Sequence, residues 1–108
     1  MSEGTAPAPI RIRAKERDGR TDVLVLMPHP METGLGTGGS AVQAPAHYIT
    51  DVQVWCEERV VLEAKLSIAV AKDPLLSFHF RGGRPGDRIR VTWRDNTGAQ
   101  RTDVAMVN

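Results

Sequence analysis

The seven residues Arg88–Arg94, RIRVTWR, constrain the fold of this chain more than any other segment. Ile89, Val91 and Trp93 alternate with Arg88, Arg90, Thr92 and Arg94, so an extended backbone puts the apolar side chains on one face and the polar ones on the other. A helix would scatter the same residues around its circumference. A clean two-residue period with one charged face is the signature of a half-buried antiparallel strand. Turn residues bracket it, with Pro85-Gly86-Asp87 before and Asp95-Asn96-Thr97-Gly98 after. Gly98 falls where a tight turn needs a left-handed residue.

The rest of the chain repeats this grammar. Ile10–Ala14 is a candidate strand, followed by an Asp18-Gly19 turn and the aliphatic run Asp22–Met27. Ala46–Cys56 and Val60–Ile68 form a pair around Glu57-Glu58-Arg59, a loop of hairpin length. Tyr48, Val52, Val54 and Cys56 share one face of the first, and Val60, Leu62, Ala64 and Leu66 one face of the second. EERVVLEAKL also accommodates helical spacing such as Glu57/Val61, but the β-branched run before it and the alternation within it favour the hairpin. Ser77–Arg81 alternates around Phe78 and Phe80, and Ala99–Val107 is the last strand. About seven short strands without a helix predict an all-β fold, an antiparallel β-sandwich of immunoglobulin-like type. The 108 residues make one domain, spanning 10–108 behind a disordered leader at 1–9. Pro28 and Pro30 stop any ladder, because proline lacks the backbone donor. Met31–Pro45, with Gly34, Gly36, Gly38 and Gly39, reads as a long loop of the kind that is functional or mobile.

Composition excludes several classes. The formal net charge is +1, which argues against nucleic acid or an acidic membrane as partner. Eleven of the fourteen basic residues are Arg, the cation better suited to interfaces and oxyanions. Cys56 is the single cysteine, so no intrachain disulfide is possible. The start MSEGTAPAPI has neither a basic nor an apolar signal region, and no apolar run approaches the ~20 residues of a membrane helix. By itself this predicts a cytoplasmic chain, or one exported with help from another.

Candidate chemistry is sparse. His29, His47 and His79 are available to a hydrolase, yet no serine lies in a nucleophile elbow, and His79 belongs to the polar side of its strand. Met27, His29 and Met31 place two thioethers and an imidazole within five residues, a set that suits Cu(I). A small copper-binding sandwich is therefore the competing class, against core methionines beside turn-shaping prolines. Arg81–Arg88, RGGRPGDR, reads as a hairpin turn rather than an RNA loop. Cys56, on the apolar face of a strand, reads as a small buried hydrophobe rather than a nucleophile.

Five segments carry a family resemblance. LMPHPMETG (Leu26–Gly34), PAHYI (Pro45–Ile49), DPLLSFHFRGG (Asp73–Gly83), PGDRIRVTWRDNTG (Pro85–Gly98) and RTD (Arg101–Asp103) occur in that order. Together they resemble the SoxZ family, the Z subunits of the thiosulfate-oxidation sulfur-carrier complex, across nearly the whole chain from Ile10. The resemblance implies a noncatalytic subunit with no cofactor and no metal of its own. It implies a heterodimer with a Y-type subunit, which carries the sulfur on a cysteine in a Gly-rich C-terminal arm and is worked on by other enzymes of the pathway. This sequence ends RTDVAMVN, without such an arm. A periplasmic location is implied, the Y partner supplying the export signal. Within this frame His29, Pro30, Met31, Glu32, Thr33 and Gly34 are expected to form part of the partner interface, with Pro28 and Pro30 fixing the chain's approach and Gly34 permitting a sharp turn.

Overall fold

Two-residue turns set the first pairings. The structure, a computed structural model, describes residues 7–32, 46–67 and 70–108. Strands β1 (Arg11–Arg17) and β2 (Arg20–Leu26) pair antiparallel around Asp18-Gly19. Both turn residues have positive φ, 56° and 79°, the conformation that matches the twist of the flanking strands and that Asp-Gly adopts at low cost. β3 (Ile49–Cys56) and β4 (Arg59–Lys65) pair in the same way, so the anticipated hairpin forms and the helical alternative does not. Its loop is the two residues Glu57-Glu58, with Arg59 already paired to Cys56. β5 (Leu75–Arg81), β6 (Arg88–Asp95) and β7 (Gln100–Met106) complete the set among the described residues.

The strands form two antiparallel sheets, β1-β2-β5 and β4-β3-β6-β7. This is the immunoglobulin-like sandwich expected, in the variant whose fourth strand stays beside the third rather than crossing to the other sheet. The sheets are tied along one side, where the C-terminus crosses to β1: Glu16 N–H donates to Asn108 O and Asn108 N–H to Ala14 O, each at 2.9 Å. An inward-facing ion pair on β7 anchors the N-terminal segment. Arg101 binds Asp103 through two contacts of 2.8 and 3.0 Å, Asp103 accepts the N–H of Ile10 at 2.8 Å, and Arg101 reaches Pro7 O at 3.3 Å. Among the described residues, contact with the sandwich thus includes Pro7, within the stretch expected to be leader.

Ala14, Val23, Val25, Val52, Val54, Ile89, Val91 and Trp93 fill the space between the sheets, all essentially inaccessible. The alternation in β6 holds in full. In β3 it breaks once: the pairing with β6 shifts between Ile49 and Asp51, so Ile49 is fully buried and Tyr48 only partly. In β4 a second shift, opposite Val54/Trp55, leaves Leu62 and Ala64 inward but pairs Val60 with Trp55, and Val60 is exposed. A bulge inverts the phase of every residue beyond it, which is why Tyr48 and Val60 leave the faces that spacing gave them. Gly83 (φ 86°) fits where its Cα passes the Thr21 hydroxyl. Thr21 is itself buried and donates to Gly82 O at 2.6 Å.

Candidate functional site: a carboxylate shared by two histidines

At one end of the sandwich four family-like segments meet. β2 runs out at Leu26, and Met27 N–H donates to Pro74 O at 2.9 Å. The next residues are clamped by Asp73, whose Oδ1 accepts His29 N–H at 2.8 Å while its own N–H donates to His29 O at 2.9 Å. Met31 then takes a left-handed φ of 48°, unfavourable for a side chain with a Cβ. Its N–H donates to His29 Nδ1 at 3.0 Å, and its sulfur accepts the N–H of Ile49 at 3.2 Å. Glu32 pairs with His47 through backbone bonds of 2.6 and 2.9 Å.

Asp95, the last residue of β6, is the hub. Its Oδ1 accepts Thr97 N–H (3.0 Å), the Thr97 hydroxyl (2.7 Å) and Ala99 N–H (3.0 Å), which shapes the Asp-Asn-Thr-Gly turn. Its Oδ2 accepts Nε2–H from His29 at 3.0 Å and from His47 at 2.8 Å. Asn96 ties down the same corner, accepting Tyr48 N–H at 2.8 Å and donating to Ala46 O at 2.9 Å. The side chains of His29 and Asp95 are 2% and 1% exposed, that of His47 37%. His29 lies edge-on to both His47 and Trp93, at 4.5 and 5.1 Å between ring centres.

Burial alone would raise the Asp95 pKa, but hydrogen bonds from Thr97, His29 and His47 outweigh it and lower the carboxyl to about 2. The site is therefore a buried anion with its lone pairs filled, opening to solvent through His47.

Among the described residues, these three are also the set whose donor atoms lie close enough, within 4.8 Å of one another, to hold a metal ion. The tautomer of His29 does not fit. A ligating histidine carries its proton on the ring nitrogen away from the metal and gives it to an acceptor. Nδ1 of His29 instead faces the N–H of Met31, so the proton belongs on Nε2, the atom a metal would need. The residues of the copper alternative are engaged otherwise: both ring nitrogens of His29 are hydrogen-bonded, Met27 is fully buried in the core and the Met31 sulfur accepts the N–H of Ile49.

Of the six residues expected at a partner interface, His29 and Met31 are buried in this cluster, Pro30 and Glu32 are exposed, and Thr33 and Gly34 lie outside the described residues, as does most of the Gly-rich loop. His79 is exposed on its strand as expected. Cys56 is buried at the opposite end of β3, its thiol pushed up first by burial and then by Asp87, whose carboxylate it meets at 3.8 Å. Sequence reasoning does not bring Asp95 to the site, and it offers His47 only as one of three histidines available to a hydrolase. Both stand in segments that carry the resemblance, and DNTG by itself has only the signature of a turn.

Fold and site together define a seven-stranded immunoglobulin-like sandwich whose loops at one end are pinned to a histidine–carboxylate hub. The family model described as "Sulphur oxidation protein SoxZ" matches residues 10–106, and the chain belongs to that family. Among solved structures, it is similar to the hypothetical protein PH1083 from Pyrococcus horikoshii OT3, at TM-score 0.69 and 14% identity over 100% of this chain and 95% of that one. A superoxide reductase in the oxidised state gives TM-score 0.64 and 12% identity over 100% and 94%. A point variant of the superoxide reductase (neelaredoxin) from Archaeoglobus fulgidus, in the reduced form, gives 0.57 and 20% over 94% and 86%. At these identities the likeness is one of fold. No curated protein matches the chain. No helix among the described residues is long and apolar enough to cross a membrane.

Proposed function

We propose that this chain is the noncatalytic binding subunit of a sulfur-carrier complex: it pairs with a Y-type chain and presents that chain's sulfur-loaded cysteine to the enzymes of thiosulfate oxidation. The observation that carries the reading is membership of the SoxZ family over residues 10–106. The chain's own thiol supports it by its position. Cys56 is held rigidly in a strand, buried and raised in pKa, whereas a carrier thiol must reach several active sites and react as the thiolate. The buried hub fixes the end of the sandwich from which Pro30 and Glu32 project, so these two residues are the described part of the proposed partner surface. We place the complex in the periplasm, exported with the Y chain.

Co-expression with a Y-type chain tests the pairing. One species containing both chains is expected on size exclusion at micromolar concentration, weakened by Glu32→Ala without loss of fold. Elution as two separate monomers would refute the pairing. Mass spectrometry of the thiosulfate-loaded complex is expected to place the sulfur adduct on the Y chain. An adduct on the peptide containing Cys56, lost together with activity in Cys56→Ser, would refute the division of labour.

A further inference from the structure

The charge of the chain is small in sum but segregated in space. The outward positions of β1 are Arg11, Arg13, Lys15 and Arg17, all exposed. Pairing sets them beside Leu26, Leu24, Asp22 and Arg20 of β2, and through these beside Leu75, Ser77, His79 and Arg81 of β5. The outer face of this sheet thus carries six cations, Arg11, Arg13, Lys15, Arg17, Arg20 and Arg81, against the single acid Asp22. Among the described residues only Arg20 of the six is in an ion pair, with Asp22 at 3.1 Å. With a net charge of +1 for the chain, everything outside this face is net negative.

One corner of the face is apolar. Leu24 is 40% and Leu75 59% exposed, and Leu26 lies between them, paired with Leu75 and partly buried. The face is about 20 Å long, six steps of roughly 3.3 Å, and roughly 10 Å across its three strands.

We propose that this face is a docking surface for an acidic segment of a partner protein, one that presents several carboxylates flanked at one end by an apolar side chain. Five of the six cations are arginines, whose planar fork binds carboxylates through paired hydrogen bonds. The apolar corner, and an acid in the middle of the cations, match a protein surface of mixed character better than a uniform polyanion. The outward positions hold no Phe, Tyr or Trp on which nucleic-acid bases could stack. The footprint is smaller than the ~800 Å² per partner of a standard stable interface, so the contact is a transient one, steered by charge and sensitive to salt.

The test is a two-dimensional NMR titration of the labelled full chain at about 0.15 M ionic strength, where the Debye length is ~8 Å. The probes are a Glu/Ser peptide, the same peptide with a Leu-Leu end, anionic phospholipid vesicles and duplex DNA. Both peptides are expected to shift resonances of β1, β2 and β5, with those of the other sheet unmoved. The Leu-Leu peptide is expected to bind several-fold more tightly. Arg13→Glu/Arg17→Glu is expected to weaken binding roughly tenfold or more. The neutral Arg13→Gln/Arg17→Gln pair repeats the test should the reversal disturb the spectrum. No peptide binding, shifts mapping to the other sheet, unchanged affinity in the variants, or tighter binding to vesicles or duplex would each overturn the proposal.

Discussion

Replacing Asp95 by Asn removes the carboxylate's charge and turns one acceptor oxygen into an NH2 donor while keeping the shape of the side chain, and the hub makes the cost calculable. The wild-type carboxylate accepts five hydrogen bonds, three at Oδ1 and two at Oδ2. An Asn oxygen can keep the three donors from Thr97 and Ala99, which turns its NH2 toward two imidazole N–H groups. His47, partly exposed, can move its proton to the other ring nitrogen. His29 cannot, because its Nδ1 faces Met31 N–H. At least one pair of buried donors is then opposed, and charge-assisted bonds are lost. At ~1–3 kcal/mol for an unsatisfied buried group and ~1.5–3 for a bond to a charged one, Asp95→Asn should cost about 3–4 kcal/mol. That is a fall in Tm of roughly 12 °C or more for a domain this size.

The same carboxyl sets a pH dependence. Its folded-state value of about 2 lies below the ordinary 3.8. It therefore contributes on the order of 2 kcal/mol above about pH 4, lost as pH falls from there toward about pH 2. Urea denaturation at several pH values, followed by tryptophan fluorescence with Trp93 beside the cluster, measures both effects. The wild type should lose this increment on acidification, so the gap between wild type and Asp95→Asn should narrow. A cost below about 1 kcal/mol at neutral pH, or a gap that stays constant down to about pH 2, would refute the hub as described.

Two further outcomes follow from the packing. Gly83→Ala should destabilise by about 2–3 kcal/mol, because its Cβ would overlap the pinned Thr21 hydroxyl and its φ is positive, whereas Gly98→Ala, with φ of 92° but open space around it, should cost about 1; equal urea midpoints for the two variants would contradict this. Cys56 should react with a thiol reagent far more slowly in the native chain than in urea, given its burial and raised pKa; native reactivity equal to that of a free thiol would sink both the burial argument and its exclusion as a carrier.

What the sequence alone determined was local. Two-residue periods and turn chemistry are properties of neighbours along the chain, so RIRVTWR, the Asp18-Gly19 turn and the β3–β4 hairpin were legible, and with them the sandwich class and a buried Cys56. Even the cations of β1 alternate visibly from Arg11 to Arg17. Tertiary structure decided what depends on which strands become neighbours. The bulges that withdraw Tyr48 and Val60 from their expected faces are set by the register of a partner strand, which no period reveals. The basic face is assembled by pairing: β1 sets its four cations along β2, and β5 brings Arg81 beside Arg20. His29, read as one end of a copper set or as an interface residue, became a buried donor because Asp95, 66 positions later, arrives at the same end of the sandwich. A carboxylate and an imidazole so far apart in sequence carry no mutual signal along the chain. Their pairing is fixed by the packing of two sheets, and there burial makes each the necessary partner of the other.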